Sequence, residues 1–150
     1  MMNKMKIVVM LVFGLLVSAC GNNANDVKDN GMGVFLPVEK AFAFSVKPVE
    51  DNVISARWEI ADGYYLYKDK FEFAVINDEY QIAELDMPKG KMIDDKVFGN
   101  KESYDGSLEI RVSLKAVNAS GKLLFRVGYQ GCSEKGLCYP PQSVETEIAL

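Results

Sequence analysis

Alternation of apolar and polar side chains with a period of two governs this chain, and a helix does not satisfy that spacing. Ile54, Ala56, Trp58 and Ile60 alternate with Ser55, Arg57 and Glu59, and Leu108, Ile110, Val112 and Leu114 alternate with Glu109, Arg111 and Ser113. Leu123, Phe125, Val127 and Tyr129 continue the pattern, and Val144, Thr146, Ile148 and Leu150 close it. Successive side chains of a strand point to opposite faces, so each stretch reads as a strand buried on one side. Shorter or weaker candidates are Ala41 to Val46, Tyr64 to Tyr67, Phe71 to Val75 and Tyr80 to Leu85. Turn dipeptides punctuate them at Asp62-Gly63, Asn77-Asp78, Asp105-Gly106 and Ser120-Gly121. Met87 to Gly90 reads as loop, and Lys91 to Tyr104 shows no clear period. With about eight short strands and no convincing helix, the expected class is an all-β antiparallel sandwich, with a barrel as the alternative.

The N-terminus has a different character. Lys4 and Lys6 precede an unbroken apolar run from Ile7 to Val17. That run is shorter than the roughly 20 residues needed to span a bilayer, but it suits the core of a signal peptide. It ends in Val17-Ser18-Ala19-Cys20, which resembles a bacterial lipobox with Cys20 as the lipidated first mature residue. An ordinary signal peptide with an incidental cysteine, or an uncleaved anchor, is the alternative. The expected organisation is a lipoprotein-type signal peptide at 1–19, a polar tether at 20–34 and a β-sandwich domain at 35–150. The expected location is the periplasm, with the chain anchored to an envelope membrane through Cys20. Exported chains can keep disulfides, which cytosolic chains seldom do. Lipidation of Cys20 also leaves Cys132 and Cys138 as the sole pair among three cysteines.

Composition removes whole classes of chemistry. The chain has no histidine, which excludes a Ser-His-Asp triad, a Cys-His dyad and His-ligated metal sites. Two thiols are too few for a closed tetrahedral zinc site, so no metal and no organic cofactor are expected. The 17 basic and 21 acidic residues become 15 and 21, a net −6, once Lys4 and Lys6 leave with the signal peptide. That balance argues against a nucleic-acid partner.

What remains is the segment Val127 to Gln142. Strands ending near Tyr129 and resuming near Gln142 bring Cys132 and Cys138 within disulfide reach. One reading of the pair is a structural bridge. A ring this small, however, removes only about 2.4 kcal/mol of unfolded-state entropy, and it ties residues that a hairpin already holds. The other reading is a reactive disulfide in an exposed tip loosened by Gly131 and Gly136. Tyr64, Tyr65 and Tyr67 offer an aromatic wall, although core packing with one surface tyrosine explains them equally well. Asp94 and Asp95 are either solvated loop charges or carboxylates that raise a thiol pKa or accept its proton.

Tyr129-Gln-Gly-Cys132, Gly136-Leu-Cys138-Tyr-Pro-Pro141, Ala41-Phe-Ala-Phe44, Trp58, Asp62-Gly-Tyr-Tyr-Leu-Tyr67, Pro88-Lys-Gly90 and Phe98-Gly99 together resemble the N-terminal periplasmic domain of the thiol:disulfide interchange protein DsbD. The resemblance runs from Phe35 to Leu150 and implies an immunoglobulin-like sandwich. It implies a protein-disulfide reductase type of activity in which Cys138 attacks and Cys132 resolves. Tyr65, Tyr67, Asp95 and Tyr139 are the residues expected to line the site. A cap loop formed by Lys96, Val97, Phe98 and Gly99 is expected to shield the sulfurs. The family's usual cap carries an aromatic residue after an acidic one, where this chain has Val97 and Lys96, so either Phe98 substitutes or the cap is smaller. The implied partners are a thioredoxin-like electron donor, a membrane thiol transporter, and an oxidised periplasmic disulfide isomerase or cytochrome c maturation thioredoxin. Because the 150 residues include neither a membrane domain nor a thioredoxin-like domain, those electrons are expected to come from separate polypeptides.

Overall fold

The strongly alternating stretches fold as strands that turn their apolar sides onto one core. The computed structural model describes residues 34–96, 98–118 and 121–150. The expected signal peptide, Cys20, the tether as far as residue 33, and Val97 lie outside the described residues. The elements in order are α1 (Val38–Ala41), β1 (Phe42–Glu50), β2 (Val53–Ile60), β3 (Tyr64–Tyr67), a 3-10 turn (Lys68–Lys70), β4 (Glu72–Val75), β5 (Tyr80–Asp86) and β6 (Lys91–Asp95). They continue with β7 (Gly99–Tyr104), β8 (Ser107–Ala116), β9 (Lys122–Tyr129), β10 (Gly131–Ser133) and β11 (Gln142–Ala149).

The strands form three antiparallel sheets, in the orders β1-β2-β8-β5, β10-β3-β7-β6 and β11-β9-β4. The first sheet ends openly at β1 and β5, so the sandwich holds and the barrel does not. Ile54, Ala56, Trp58 and Ile60 of β2 and Leu108, Ile110, Val112 and Leu114 of β8 are buried from the first sheet. Leu123, Phe125, Val127 and Tyr129 of β9 meet them from the third sheet in the same cluster. Trp58 bridges the layers, with its ring 5.7 Å from that of Tyr129 and 5.0 Å from that of Phe71. Full burial of an aliphatic side chain of this kind contributes about 1.5–3 kcal/mol, so the alternating strands supply most of the cohesion.

Several expectations need correction. Ala41 closes a short helix instead of opening the first strand, and β1 runs on through Pro48 to Glu50. A proline is tolerated there because β1 is an edge strand and its pairing with β2 shifts register between Pro48 and Glu50. The aperiodic stretch Lys91 to Tyr104 is a hairpin of β6 and β7. Its residues are mostly exposed or half-buried on both faces, so no apolar rhythm marks it. The segment after Tyr129 does not run straight into a loop. As β10 it crosses from the third sheet to pair with β3 in the second.

Gly131 is required by that crossing. A Cβ on it would lie 2.7 Å from Phe42 Cζ and 2.8 Å from Leu66 Cδ2, and against the Tyr65 carbonyl oxygen. We expect Gly131→Ala to destabilise the domain by about 1–3 kcal/mol through overpacking. Urea unfolding checks this, and wild-type stability would mean that β10 can shift away without cost.

Candidate active site

Strand β3 divides its side chains between two tasks. Tyr64 and Leu66 turn to the core, and Tyr65 and Tyr67 share the opposite face. Strand β10 pairs antiparallel with it in the register Gly131↔Leu66, Cys132↔Tyr65 and Ser133↔Tyr64. Residues directly opposite in such a pair project to the same side. Gly131 therefore falls over the core with Leu66, and Cys132 falls on the tyrosine face. The chain then turns back through Gly136, whose φ of +95° favours glycine. Ser133 N–H donates to the Leu137 carbonyl at 2.7 Å and Tyr139 N–H to the Gly131 carbonyl at 3.0 Å. Between these bonds Cys132 and Cys138 face each other with Cα atoms 4.0 Å apart, joined by a disulfide.

The two sulfurs have unequal surroundings. Cys132 is 0% exposed, whereas Cys138 is half-buried and lines a cavity of about 280 Å³. The Tyr67 hydroxyl lies 3.1 Å from Cys132 Sγ and 4.0 Å from Cys138 Sγ. It also donates to Asp95 Oδ2 at 2.8 Å, and the Tyr65 hydroxyl donates to the same oxygen at 2.6 Å. Asp95 Oδ1 accepts from the Phe98 N–H at 2.8 Å. Asp95 is 8% exposed and ends β6, so the hairpin delivers a buried carboxylate to within one hydroxyl of the disulfide. Burial and then the Asp95 contact push the Tyr65 and Tyr67 phenols above their ordinary value, and both stay protonated donors.

Tyr65, Asp95, Lys96 and Cys138 all line the cavity. Tyr67 sits behind it against both sulfurs. Phe98 is 39% exposed and packs edge-on against Tyr67 at 5.4 Å, so it reaches the disulfide region through that ring. Gly99, with φ +71°, starts β7 after the turn. Tyr139 lies apart from this group. Its ring packs on Phe42 at 5.4 Å and its hydroxyl donates to the Leu36 carbonyl at 2.6 Å, so it tethers the cysteine turn to the core from the other side. Ile93, Ser133, Glu134 and Lys135 also line the cavity and were not expected to. Glu134 and Lys135 were legible as residues between the cysteines. Ile93 was not, because its hairpin was unrecognised.

Such a pair can exchange with thiols. Of the two sulfur-bearing residues, Cys138 is the one that lines the cavity. Among the described residues, no group of three or more His, Cys, Asp or Glu could hold a metal ion, and no helix is long and apolar enough to cross a membrane.

Residues 33–150 match the family described as thiol:disulfide interchange protein DsbD, N-terminal. The chain belongs to the DsbD N-terminal domain family. The DsbD protein of Pseudomonas fluorescens is 36% identical over 147 residues, covering 98% of this chain and 23% of that protein. The chain thus spans under a quarter of the length of the curated DsbD relatives it matches. The reduced DsbD N-terminal domain of Neisseria meningitidis is 34% identical and superposes with a TM-score of 0.66 over 76% of this chain and 89% of that one. A complex between the DsbD and PilB N-terminal domains of the same organism contains a second match, 31% identical with a TM-score of 0.61, covering 75% of this chain and 85% of that one. The fold is accordingly the immunoglobulin-like sandwich of DsbD N-terminal domains.

The phenols generate a pH dependence. Burial raises Tyr139 to about 12, and Tyr65, Tyr67, Tyr104 and Tyr129 are raised as well. A group with a raised folded pKa contributes stability that is fully present below the unfolded value near 10 and is lost as pH rises through the folded value. Urea stability of the oxidised domain is therefore expected to show no tyrosine-linked change below pH 10 and to fall progressively between 10 and about 12. Phenolate absorbance that follows free tyrosine without loss of fold would contradict this.

Proposed function

We propose that this domain is a periplasmic thiol:disulfide oxidoreductase that relays reducing equivalents through Cys132 and Cys138. The observation that carries the reading is the asymmetry of the pair, with Cys138 at the cavity and Cys132 buried against the Tyr67 hydroxyl. In the reduced form the Cys138 thiolate attacks a sulfur of the partner's disulfide. That bond breaks, its electron pair leaves on the partner's second sulfur, and a mixed disulfide forms. The Cys132 thiol then gives up its proton through Tyr67 to Asp95 and attacks Cys138 Sγ. The Cys132–Cys138 bond closes as the Cys138–partner bond breaks, its electron pair leaving on the partner sulfur. The partner's two thiolates take up two protons, matching the one Cys138 lost to solvent and the one Cys132 passed to Asp95, so that it leaves as a dithiol. The reverse sequence reloads the pair from a donor. Tyr65 orients the Asp95 carboxylate, Lys96 and Tyr65 border the approach, and Phe98 packs on Tyr67.

The proposed donor is a thioredoxin-like protein supplied by a membrane thiol transporter. The proposed acceptors are oxidised thioredoxin-like envelope proteins, including a disulfide isomerase or a cytochrome c maturation thioredoxin. The Neisseria complex between a DsbD N-terminal domain and a PilB N-terminal domain supports a protein partner for a domain of this kind. Residues 1–19 are proposed to be a lipoprotein signal peptide, Cys20 the lipidated residue that holds the domain at an envelope membrane, and 20–34 the tether to the domain at 35–150.

Cys132→Ala is expected to accumulate mixed disulfides with an oxidised thioredoxin-like protein through Cys138, read on non-reducing gels. Trapping only through Cys132 in a Cys138→Ala variant would reverse the assignment. A pair with a potential well below about −300 mV and no exchange would instead be a structural bridge in an envelope binding lipoprotein. In a separate test, Asp95→Asn should slow resolution of the mixed disulfide on the order of a hundredfold, a typical loss for a removed proton acceptor, with the first attack little changed. Equal slowing of both steps would remove Asp95 from the proton path.

A further inference from the structure

One wall of the Cys138 cavity is the end of the β6–β7 hairpin, which contributes Ile93, Asp94, Asp95 and Lys96. Little backbone pairing holds that wall. Among the described residues, β7 pairs with β3 at Leu66↔Tyr104 and Tyr67↔Ser103, and β6 is the edge of the sheet. From Met92↔Glu102 to Asp95↔Gly99 the hairpin is a two-stranded ribbon, an arrangement of marginal stability on its own. Its position over the cavity must therefore come from side chains.

The 3-10 turn Lys68–Lys70 supplies three of them in succession. Lys68 Nζ donates to Glu102 Oε1 at 2.9 Å, and that oxygen also accepts from Gly90 N–H at 2.7 Å. Lys101 Nζ donates to Asp69 Oδ2 at 2.6 Å. Lys70 Nζ stands 5.5 Å from the centroid of the Phe98 ring, within cation–π range, and that ring makes a T-shaped pair with Tyr67 at 5.4 Å. Phe98 is also the residue whose N–H binds Asp95.

We propose that the Lys68-Asp69-Lys70 turn is a clamp that positions the hairpin wall of the cavity and so sets the size of the thiol that reaches Cys138. This rests on the reading of Cys138 as the exchanging sulfur. The three are positioning residues, since they act through Phe98, Lys101 and Glu102 and touch neither sulfur in these contacts. Part of the clamp is ionic and half-exposed, so salt screens it.

The test compares reduction of the oxidised domain by a small neutral thiol, 2-mercaptoethanol, with reduction by a neutral, end-blocked cysteine tripeptide. Lys70→Met and Asp69→Asn are each expected to raise the tripeptide-to-mercaptoethanol rate ratio roughly two- to fivefold, the scale of one exposed cation–π contact for Lys70 and of one part-exposed ion pair for Asp69. Lys70→Arg should restore the wild-type ratio, because a guanidinium also stacks on an aromatic face. Added KCl should raise the ratio in the wild type more than in a variant carrying both Lys70→Met and Asp69→Asn. An unchanged ratio in both single variants, or an Arg variant that behaves like Met, would overturn the clamp. Exchange with a thioredoxin-like protein is measured in parallel. A shifted size ratio without protein exchange retains the clamp and rejects the relay, whereas exchange with an unshifted ratio does the opposite.

Discussion

The site depends on one pairing, that of β10 with β3. Gly131 opposite Leu66 and Cys132 opposite Tyr65 is the register that puts a glycine against the crowded core and a sulfur on the tyrosine face. Side chains alternate with a period of two, so a slip by one residue would send Cys132 into the core and bring a bare glycine to Tyr67. Phe42 and Leu66 crowd the Gly131 position and oppose that slip. The hydrophobic sandwich and the redox geometry are therefore set by the same contacts.

Around that register the polar groups are arranged by burial. A carboxylate withdrawn from water is costly unless it is hydrogen-bonded, and Asp95 receives bonds from two phenols and one backbone N–H. Its donors are held protonated by the same burial. The result is an acceptor in contact with the buried sulfur through a single hydroxyl, while the other sulfur opens to solvent. The inequality between the two sulfurs follows from which strand each occupies: Cys132 lies within the second sheet, and Cys138 lies on the returning arm outside it.

Much of the fold was legible because burial on one side writes itself into a strand as alternation. Strands β2, β8 and β9 read nearly to the residue. The β6–β7 hairpin did not, because neither of its faces is buried enough to demand an apolar rhythm. That same exposure hid the cavity wall at Ile93 and the clamp from Lys68 to Lys70. Tyr139 shows the opposite limit. Its place next to Cys138 suggested the site, but alternation along the returning arm turns its ring to Phe42 and its hydroxyl to Leu36.

The sequence by itself determined the chemistry available here: a chain without histidine, a pair of cysteines at 132 and 138, and a family signature spread over a β-sandwich pattern. It also determined the core, since apolar residues at period two leave one face to bury. The family resemblance pointed to Cys138 as the attacking sulfur and to Tyr65, Tyr67 and Asp95 as its neighbours, but only the tertiary structure supplied the physical reason, with Cys138 at the cavity and Cys132 buried against the Tyr67 hydroxyl. Those facts come from Asp95, Tyr67 and Cys132, residues 28 and 65 positions apart from one another in sequence as paired by hydrogen bond and contact. Their meeting is fixed by strand register and by side chains tying an otherwise weakly paired hairpin, and neither leaves a local pattern for the sequence to display.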